Sequence, residues 1–265
     1  MKIGVTGCAG RMGRMVMARV LETAGAELAG GAEYEGSPAV GKDLGDLLGA
    51  KPMGISAVGD AAALFAAVDA VIDFSTPAAG VAHAKLAAAA GKALVIGTTG
   101  LAAEQLAAVK AAAERAPIVQ SYNMSLGVNL LAALVEKAAA ALSDEFDIEI
   151  VEMHHKHKVD APSGTAILLG RAAAAGRGVD LDAVSQRARD GMTGERRRGD
   201  IGFASLRGGD VTGEHTVMFA GPAERLEFTH KAGSRAIFAA GAVKAAMWLK
   251  GRKPGLYTMA DVLGL

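Results

Sequence analysis

Short hydrophobic runs alternate with helical patterns through the first 125 residues of the chain. Five runs of four to six mostly apolar residues lie at 2–6, 27–32, 70–74, 93–96 and 117–120. Apolar residues at helical spacing follow three of these runs, over 12–21, 83–90 and 102–115. The runs are too short for helices, so we interpret them as buried strands. Strands that alternate with helices predict crossover connections and a parallel sheet.

The pattern changes after residue 125. A helix is predicted over 128–142, and residues 146–153 alternate at period two with Ile148 and Ile150 on one face. Glycine-rich turns then join three runs that we interpret as antiparallel strands, at 202–207, 214–220 and 224–230. A long helical pattern covers 235–250. We therefore expect an α/β protein with two domains: a Rossmann-like parallel-sheet domain from 1–125 and 235–265, and an α+β domain with a mixed or antiparallel sheet from 126–234.

The composition narrows the class of protein. Lys and Arg number 28 and Asp and Glu number 28, so the surplus of positive charge that nucleic-acid and membrane-surface binding needs is missing. Cys8 is the single cysteine, so no disulfide forms within the chain, and a reducing compartment is expected. Neither a signal peptide nor an apolar run of transmembrane length is visible. We expect a cytoplasmic protein that binds neither nucleic acid nor membrane.

A glycine-rich turn follows the first predicted strand. Gly7, Gly10 and Gly13 open the first helix, where glycines permit a tight turn, close approach to a pyrophosphate and close packing of helix on strand. The helix N-terminus would face the phosphates. Glu33 ends the second predicted strand, 20 residues beyond Gly13, and could accept hydrogen bonds from the ribose of a dinucleotide. The spacing is GxxGxxG rather than GxGxxG, so a purely structural turn stays open as an alternative.

Residues 152–165 crowd three histidines and two lysines into one segment. One use would be a metal site made by His154, His155 and His157, although the two lysines would repel a cation and adjacent strand residues point to opposite faces. A second use would be a solvated loop without a role. A third would be an anionic-substrate site with acid/base groups. Ser163 to Thr165 would form a small anion cradle at a helix start, which favours the third use.

Six segments together resemble the 4-hydroxy-tetrahydrodipicolinate reductases, also called dihydrodipicolinate reductases. They are GCAGRMGR from residue 7, GTTG from 97, SYNMSLGVNL from 121, HHKHKVDAPSGTA from 154, GERRRGDIGFASLRGGDVTGEHTVMF from 194 and RLEFTHKAGSR from 225. The resemblance runs through the whole chain in order, and the segment from residue 154 is its most specific part. It implies reduction of the cyclic imine that 4-hydroxy-tetrahydrodipicolinate forms by losing water, in the diaminopimelate route of lysine biosynthesis.

The resemblance also implies residue roles. His154 is the implied acid/base residue and Lys158 the implied proton donor, while the substrate carboxylates are bound by His155, Gly164 and Thr165. The implied cofactor contacts are Gly7, Cys8, Ala9, Gly10, Arg11, Met12, Glu33, Tyr34, Gly97, Thr98, Thr99, Ser121, Tyr122, Asn123 and Met124. No metal is implied. A homotetramer built through the sheet of the second domain, which also binds the substrate, is expected.

One position departs from the family pattern. Many members have an arginine directly after the acidic residue, where it meets the 2′-phosphate of NADPH, and Tyr34 stands there in this chain. Because Glu33 would repel that phosphate, we predict that NADH is preferred, with NADPH possible through Arg11, Arg14 or Lys42.

Other functions compete with this reductase. A reductase of another small imine or aldehyde and a non-catalytic NAD sensor would share the cofactor turn, and a metal hydrolase would use the histidines. A semialdehyde dehydrogenase needs a cysteine nucleophile. Cys8 lies in the phosphate turn with no His or Asn near it in sequence, so we interpret it as a small turn residue.

Overall fold

Two sheets organise the chain, one in each of two units. The computed structural model describes residues 1–265 and divides them into a first unit, Met1–Leu126 with Ala236–Gly264, and a second unit, Gly127–Arg235 with Leu265. The strands are β1 (Lys2–Thr6), β2 (Glu27–Ala32), β3 (Ala70–Asp73), β4 (Ala93–Ile96), β5 (Pro117–Gln120), β6 (Asp147–His154), β7 (Ser185–Gln186), β8 (Ile201–Arg207), β9 (Glu214–Ala220), β10 (Arg225–Lys231) and β11 (Gly255–Tyr257). The helices are α1 (Arg11–Leu21), α2 (Leu44–Leu48), α3 (Ala61–Ala67), α4 (Pro77–Ala90), α5 (Ala103–Ala113), α6 (Leu126–Ala141), α7 (Gly164–Arg177), α8 (Leu181–Val184), α9 (Ala236–Trp248) and α10 (Met259–Leu263).

The first unit contains a six-stranded sheet in the order β11-β5-β4-β3-β1-β2. Every pair of neighbouring strands is parallel, which confirms the predicted Rossmann-like sheet. Strands β3 and β4 are buried at every residue because helices cover both faces of a parallel sheet. The strand order reverses between β1 and β3, and open α/β sheets bind ligands at the carboxyl ends of the strands at such a point.

Several short elements of the first unit carry too weak a pattern to be predicted. The edge strand β11 has three residues, and α2 and α10 have five each. A short helix gains little from its own backbone, so caps and packing hold it. The Asp43 side chain, for example, accepts a hydrogen bond of 2.7 Å from Gly45 N at the start of α2.

The second unit contains a five-stranded mixed sheet in the order β10-β9-β6-β8-β7. Strands β9 and β10 form the expected antiparallel pair. The prediction that residues 202–207 form an antiparallel strand is wrong, because β8 pairs with β6 in parallel. Strand β6 lies between β8 and β9, so the chain after β8 passes around the end of β6. Along this path Gly208 N donates to His154 O (2.9 Å) and His155 N donates to Val211 O (2.8 Å).

Strand β6 alternates strictly between a buried and a half-exposed face. Ile148, Ile150, Glu152 and His154 are buried, and the residues between them are partly exposed. Ile148 and Ile150 pack in a core with residues of α6 and α7. The same alternation that builds this core therefore turns Glu152 and His154 inward at the end of the strand. No helix in the structure has both the length and the apolar character to span a membrane.

Candidate functional site

The turn after β1 depends on the absence of side chains. Gly7 has φ +68°, and a Cβ there would lie 2.4 Å from Phe74 O. A Cβ on Gly13 would lie 2.0 Å from Gly7 O, so the first helical turn approaches the loop as only glycine permits. The glycines at 7 and 13 therefore serve the fold of the turn, whatever ligand it holds.

The N-terminus of α1 is left open for a ligand. Gly10 is the N-cap of α1 and provides no side-chain hydrogen bond, and the first turn contains no acidic residue. By contrast, the side chains of Asp43, Asp60 and Thr76 cap α2, α3 and α4. Unpaired N–H groups and the positive end of the helix dipole favour an anion at this position. The turn thus fits the pyrophosphate of a dinucleotide.

A cleft of about 450 Å³ opens beside the turn. Its lining includes five of the predicted cofactor residues: Gly7, Ala9, Gly10, Glu33 and Tyr34. Glu33 Oε1 accepts a hydrogen bond of 2.8 Å from Ala9 N, so this carboxylate also holds the turn, and the Tyr34 side chain is largely exposed. Phe74, Ser75 and Thr76, in the loop after β3, also line the cleft and were missed by sequence reasoning.

The Cys8 side chain faces the core of the first unit rather than the cleft. It is fully buried in the hydrophobic cluster that contains Ile3 and Val16. Burial and the neighbouring Glu33 carboxylate raise the pKa of the thiol to about 11, so the thiol stays protonated at neutral pH and is a poor nucleophile. Any contact of Cys8 with a cofactor would have to come from its backbone.

Arg11 and Met12 are the first two residues of α1. The remaining predicted cofactor residues lie in the loops after β4 and β5, at the carboxyl ends of these strands. Thr98 Oγ1 accepts a hydrogen bond of 3.0 Å from Ser75 N, which joins the loops after β3 and β4. Ser121 Oγ donates to Asn123 O (3.0 Å) in the loop after β5. Met124 is buried in the core of the first unit, whereas Tyr122 is about half exposed.

A buried carboxylate fixes the loops beside the cleft. Asp73 Oδ1 accepts hydrogen bonds from Thr6 Oγ1 (2.6 Å), Ser75 Oγ (2.6 Å) and His83 Nδ1 (2.9 Å), and Asp73 Oδ2 accepts from Thr98 Oγ1 (2.8 Å). Burial alone would raise the pKa of Asp73, but the bonds from His83 and the hydroxyls outweigh it and hold that pKa below its ordinary value. The cluster ties together the ends of β1, β3 and β4.

In the second unit, the histidine-lysine segment begins at the end of β6. His154 Nδ1 lies 2.5 Å from Glu152 Oε2, and both side chains are buried. Burial lowers the pKa of His154, the Glu152 carboxylate opposes that shift, and the charges of Lys158 and Arg207 add to it. The net direction is down, so the His154 imidazole is mostly neutral at neutral pH without a bound ligand.

Lys158 and His155 lie in the loop that follows β6. Lys158 Nζ donates to Asp160 Oδ1 (2.8 Å), and the lysine holds the pKa of that carboxyl below its ordinary value. His155 Nδ1 is buried and has no hydrogen-bond partner in the structure. A buried polar atom without a partner is costly, and an incoming carboxylate would satisfy it.

Helix α7 begins next to these groups. Ser163 is its N-cap, and Ser163 Oγ accepts from Ala166 N (3.1 Å) and lies 2.9 Å from His215 Nε2. Gly164 and Thr165 form the first turn, which holds no acidic residue. Burial and the nearby His154 lower the pKa of His215 to about 3, so it is neutral at neutral pH. The helix N-terminus therefore favours an anionic group beside His154.

Sequence reasoning missed Glu152, Arg207 and His215 as members of this site. A signal for Glu152 was present, because it shares the period-two face of Ile148 and Ile150 with His154. Arg207 comes opposite His154 only through the parallel pairing of β6 with β8. The structure contains no group of three or more His, Cys, Asp or Glu side chains arranged to hold a metal ion.

Comparisons with known proteins agree along the whole chain. The family model described as dihydrodipicolinate reductase, N-terminus, matches residues 1–124, and the C-terminus model matches residues 127–263. A 4-hydroxy-tetrahydrodipicolinate reductase of Rhodopseudomonas palustris (strain BisA53) is 59% identical over 265 residues, 100% of this chain and 97% of the relative. One of Parvibaculum lavamentivorans is 61% identical over 265 residues, 100% of this chain and 98% of the relative.

A solved structure shows the same fold. The dipicolinate-bound dihydrodipicolinate reductase from Paenisporosarcina sp. TG-14 matches with a TM-score of 0.75 at 23% identity, and the match covers 98% of each chain.

Proposed function

The chain belongs to the dihydrodipicolinate reductase family, and we propose that His154 and Lys158 carry the proton chemistry of the family's reaction. It is an NAD(P)H-dependent oxidoreductase that reduces 4-hydroxy-tetrahydrodipicolinate to tetrahydrodipicolinate, with loss of water, in the diaminopimelate route of lysine biosynthesis. The observation that carries the residue assignment is the buried His154, held by Glu152 and influenced by the charge of Lys158, at the end of β6.

Substrate binding is proposed to use the cationic and N–H groups around His154. The substrate carries two carboxylates at neutral pH. The N–H groups of Gly164 and Thr165, at the start of α7, would bind one of them. The unpartnered Nδ1 atom of His155 and the Lys158 ammonium would help to neutralise the charge. Dipicolinate, which a solved relative at 23% identity binds, has the same pair of carboxylates.

The reaction adds two electrons and two hydrogens to the ring. When bound, the reduced nicotinamide supplies a hydride, which reaches ring C4 of the unsaturated imine. Electron density then moves through the conjugated system towards C3 and the ring nitrogen, and one proton must arrive to complete the reduction. Lys158 would donate this proton, and His154, as the acid/base residue, would help to replace the proton that Lys158 has given up. The balance is imine plus NAD(P)H plus one proton, giving tetrahydrodipicolinate and NAD(P)⁺.

The first unit is proposed to bind the cofactor. The open N-terminus of α1 would hold the pyrophosphate, and Glu33 and Tyr34 would face the adenosine ribose in the cleft. The loops of Gly97 to Thr99 and Ser121 to Met124 would lie along the nicotinamide half, at the carboxyl ends of β4 and β5. We propose that NADH is preferred, because the Glu33 carboxylate and the uncharged Tyr34 offer nothing to a 2′-phosphate. Of the two arginines at the turn, Arg11 and Arg14, the Nε atom of Arg14 donates to Ala9 O (2.9 Å).

The second unit is proposed to bind the substrate and to form a homotetramer through its sheet. The face of this sheet that turns away from the α6 and α7 core carries Val151, Met153 and Met218, each partly exposed, and Leu206, which is exposed. The register places Met153 beside Leu206 and Val151 beside Ala204 on that face. An apolar patch of this kind on a sheet face is typical of a subunit interface. Sedimentation velocity should then give a tetramer, and a stable monomer at micromolar concentration would contradict the assembly.

A coupled assay tests the function and the cofactor preference together. The substrate is made in situ from pyruvate and aspartate semialdehyde by the synthase that precedes this step, and oxidation of NADH and of NADPH is followed. We expect oxidation that depends on the synthase, with a higher kcat/KM for NADH. Similar kcat/KM values would contradict the preference. NADH binding without oxidation would point to another imine substrate or to an NAD sensor. We place the reaction in the cytoplasm, where both cofactors are available.

A further inference from the structure

Glu152 is a buried carboxylate whose hydrogen-bond partners come from three different parts of the second unit. Its side chain is 1% exposed. Oε2 accepts from His154 Nδ1 (2.5 Å) and Arg207 Nη1 (2.9 Å), and Oε1 accepts from Arg207 Nη2 (2.9 Å) and Ser163 N (3.2 Å). One carboxylate thus joins the acid/base histidine, a cation on β8 and the N-cap of the helix that receives the substrate.

These partners determine the protonation state of the pair. Burial alone would raise the pKa of Glu152, but the bonds from Arg207 and His154 outweigh it and hold that pKa below the ordinary value. An ionised carboxylate only accepts hydrogen bonds, so the hydrogen in the contact with His154 belongs to Nδ1. In the neutral imidazole the lone pair then lies on Nε2.

The space around Nε2 agrees with this assignment. Gly213, on the loop between β8 and β9, has φ +156°, and a Cβ at that position would lie 2.9 Å from His154 Nε2. A side chain at residue 213 would crowd the atom that must exchange the proton. Glycine therefore leaves Nε2 approachable while Glu152 holds the opposite nitrogen.

We infer that Glu152 is a positioning residue, which fixes the Nδ1–H tautomer of His154 and couples that imidazole to the start of α7 through Ser163. This inference rests on the proposed role of His154 in proton transfer. It assigns proton exchange to Nε2 alone. It also makes Arg207 the group that keeps Glu152 ionised and stops the carboxylate from rotating, because a guanidinium binds both oxygens at once.

Other charged groups near His154 set the direction of the expected pH effect. Lys158 and Arg207 are cations that disfavour the imidazolium, and His215, whose ring centre is 5.1 Å from that of His154, is neutral at neutral pH. Glu152 is the group that favours the imidazolium. Removing its charge should therefore lower the pKa of His154 further.

The first test reads the tautomer directly in the unmodified enzyme. We would record ¹⁵N–¹H spectra of histidine-labelled protein above the pKa of His154, with a His154→Gln sample to assign the signals. A protonated Nδ1 and an unprotonated Nε2 are expected. The opposite tautomer, or an even mixture, would overturn the inference, and this result does not depend on whether any substrate is turned over.

The second test compares two glutamates of the same strand. Glu149 forms ion pairs with Arg189 and Arg196, whereas Glu152 pairs with one arginine, Arg207. As for Glu152, burial would raise the pKa of Glu149, but the bonds from the arginines outweigh it and hold that pKa below its ordinary value. It points to the opposite face of β6, away from His154. The variants Glu152→Gln and Glu149→Gln therefore remove a similar ion pair, and only the first touches the imidazole.

For Glu152→Gln we expect kcat to fall at least about tenfold, less than the about hundredfold or more that a general acid–base group itself contributes, with KM for NADH unchanged. The His154 limb of the pH profile should move to lower pH, and the histidine spectrum should show mixed tautomers. Glu149→Gln should keep the limb and the tautomer of the unmodified enzyme. A folded Glu152→Gln variant whose limb and tautomer do not move would show that Glu152 has a structural role only. If the unmodified enzyme fails to reduce the substrate, the proposed function fails instead, and the spectra still decide the tautomer.

Discussion

The hydrogen bonds around Asp73 predict that replacing one carboxylate oxygen by an NH₂ group, in Asp73→Asn, substantially lowers the free energy of unfolding. Asp73 is fully buried and its carboxylate accepts four hydrogen bonds. The substitution Asp73→Asn keeps the shape of the side chain and removes its charge. It also places an NH₂ group, which can only donate, at one of the two oxygen positions.

The magnitude follows from the partners. If the amide oxygen takes the Oδ1 position, it still accepts from Thr6, Ser75 and His83, but each bond changes from charge-assisted to neutral, at about 1 kcal/mol apiece. The NH₂ group meets the Thr98 hydroxyl, which rotates to accept and so loses its own acceptor. We expect a loss of about 4 kcal/mol, with about 3 from the three weakened bonds and about 1 from the Thr98 hydroxyl. Because domains are typically stable by about 5–15 kcal/mol, the variant should still fold.

Urea denaturation at neutral pH measures this loss. The control is Asp46→Asn, on the exposed side of α2. Its free energy of unfolding should lie within about 0.5 kcal/mol of that of the unmodified protein. Folding lowers the pKa of Asp73, so its ionised carboxylate stabilises the folded state at pH values above the ordinary pKa of 3.8. This stabilisation disappears as the pH falls through the lowered pKa of the folded state. The difference between Asp73→Asn and the unmodified protein should therefore narrow in acid. Equal urea midpoints at neutral pH, or a difference that stays constant in acid, would refute the reasoning.

Four further substitutions test Lys158, the glycine turn and Tyr34. Lys158→Ala should lower turnover severely while the affinity for NADH, measured by fluorescence titration, barely changes; an unchanged turnover number would remove Lys158 from its proposed role. Gly13→Ala should lower the thermal midpoint, because a Cβ placed 2.0 Å from Gly7 O costs about 1–3 kcal/mol and exceeds the gain of up to about 1 kcal/mol from replacing a helical glycine. Gly10→Ala, where a Cβ would lie 3.2 Å from Gly7 O, should cost less stability than Gly13→Ala and should weaken NADH binding. Tyr34→Arg should raise kcat/KM with NADPH relative to NADH, and an unaltered ratio would count against the proposed contact.

Local patterns could predict most of the first unit. Strands β1 to β5 stand out because parallel strands covered on both faces form continuous apolar runs. The direction of β8 could not be predicted, because strand pairing depends on partners distant in sequence. Glycine-rich turns on either side of a strand resemble those of a meander, and nothing in residues 201–207 reveals that β6 lies between β8 and β9.

Site residues that are neighbours in sequence could likewise be predicted, whereas those brought together by strand pairing could not. The glycine turn and the segment from His154 to Thr165 are each contiguous in sequence, so a ligand-binding role could be proposed for each from the sequence alone. The Asp73 cluster is assembled by register, since Thr6 pairs with Asp73 across 67 residues and Thr98 follows the strand that pairs with β3. Arg207 reaches Glu152 across 55 residues for the same reason. Such contacts need the sheet before they can be seen.

This chain reduces the substrate ring with a hydride from the nicotinamide, and we propose that Lys158 supplies the accompanying proton. NADH that carries deuterium at its transferring position tests it directly, with the product examined by mass spectrometry and NMR. We predict that tetrahydrodipicolinate gains one deuterium, at ring C4, in the unmodified enzyme, and that the Lys158→Ala variant forms little labelled product while it still binds NADH. Product without deuterium, or full labelling by the Lys158→Ala variant, would contradict the account.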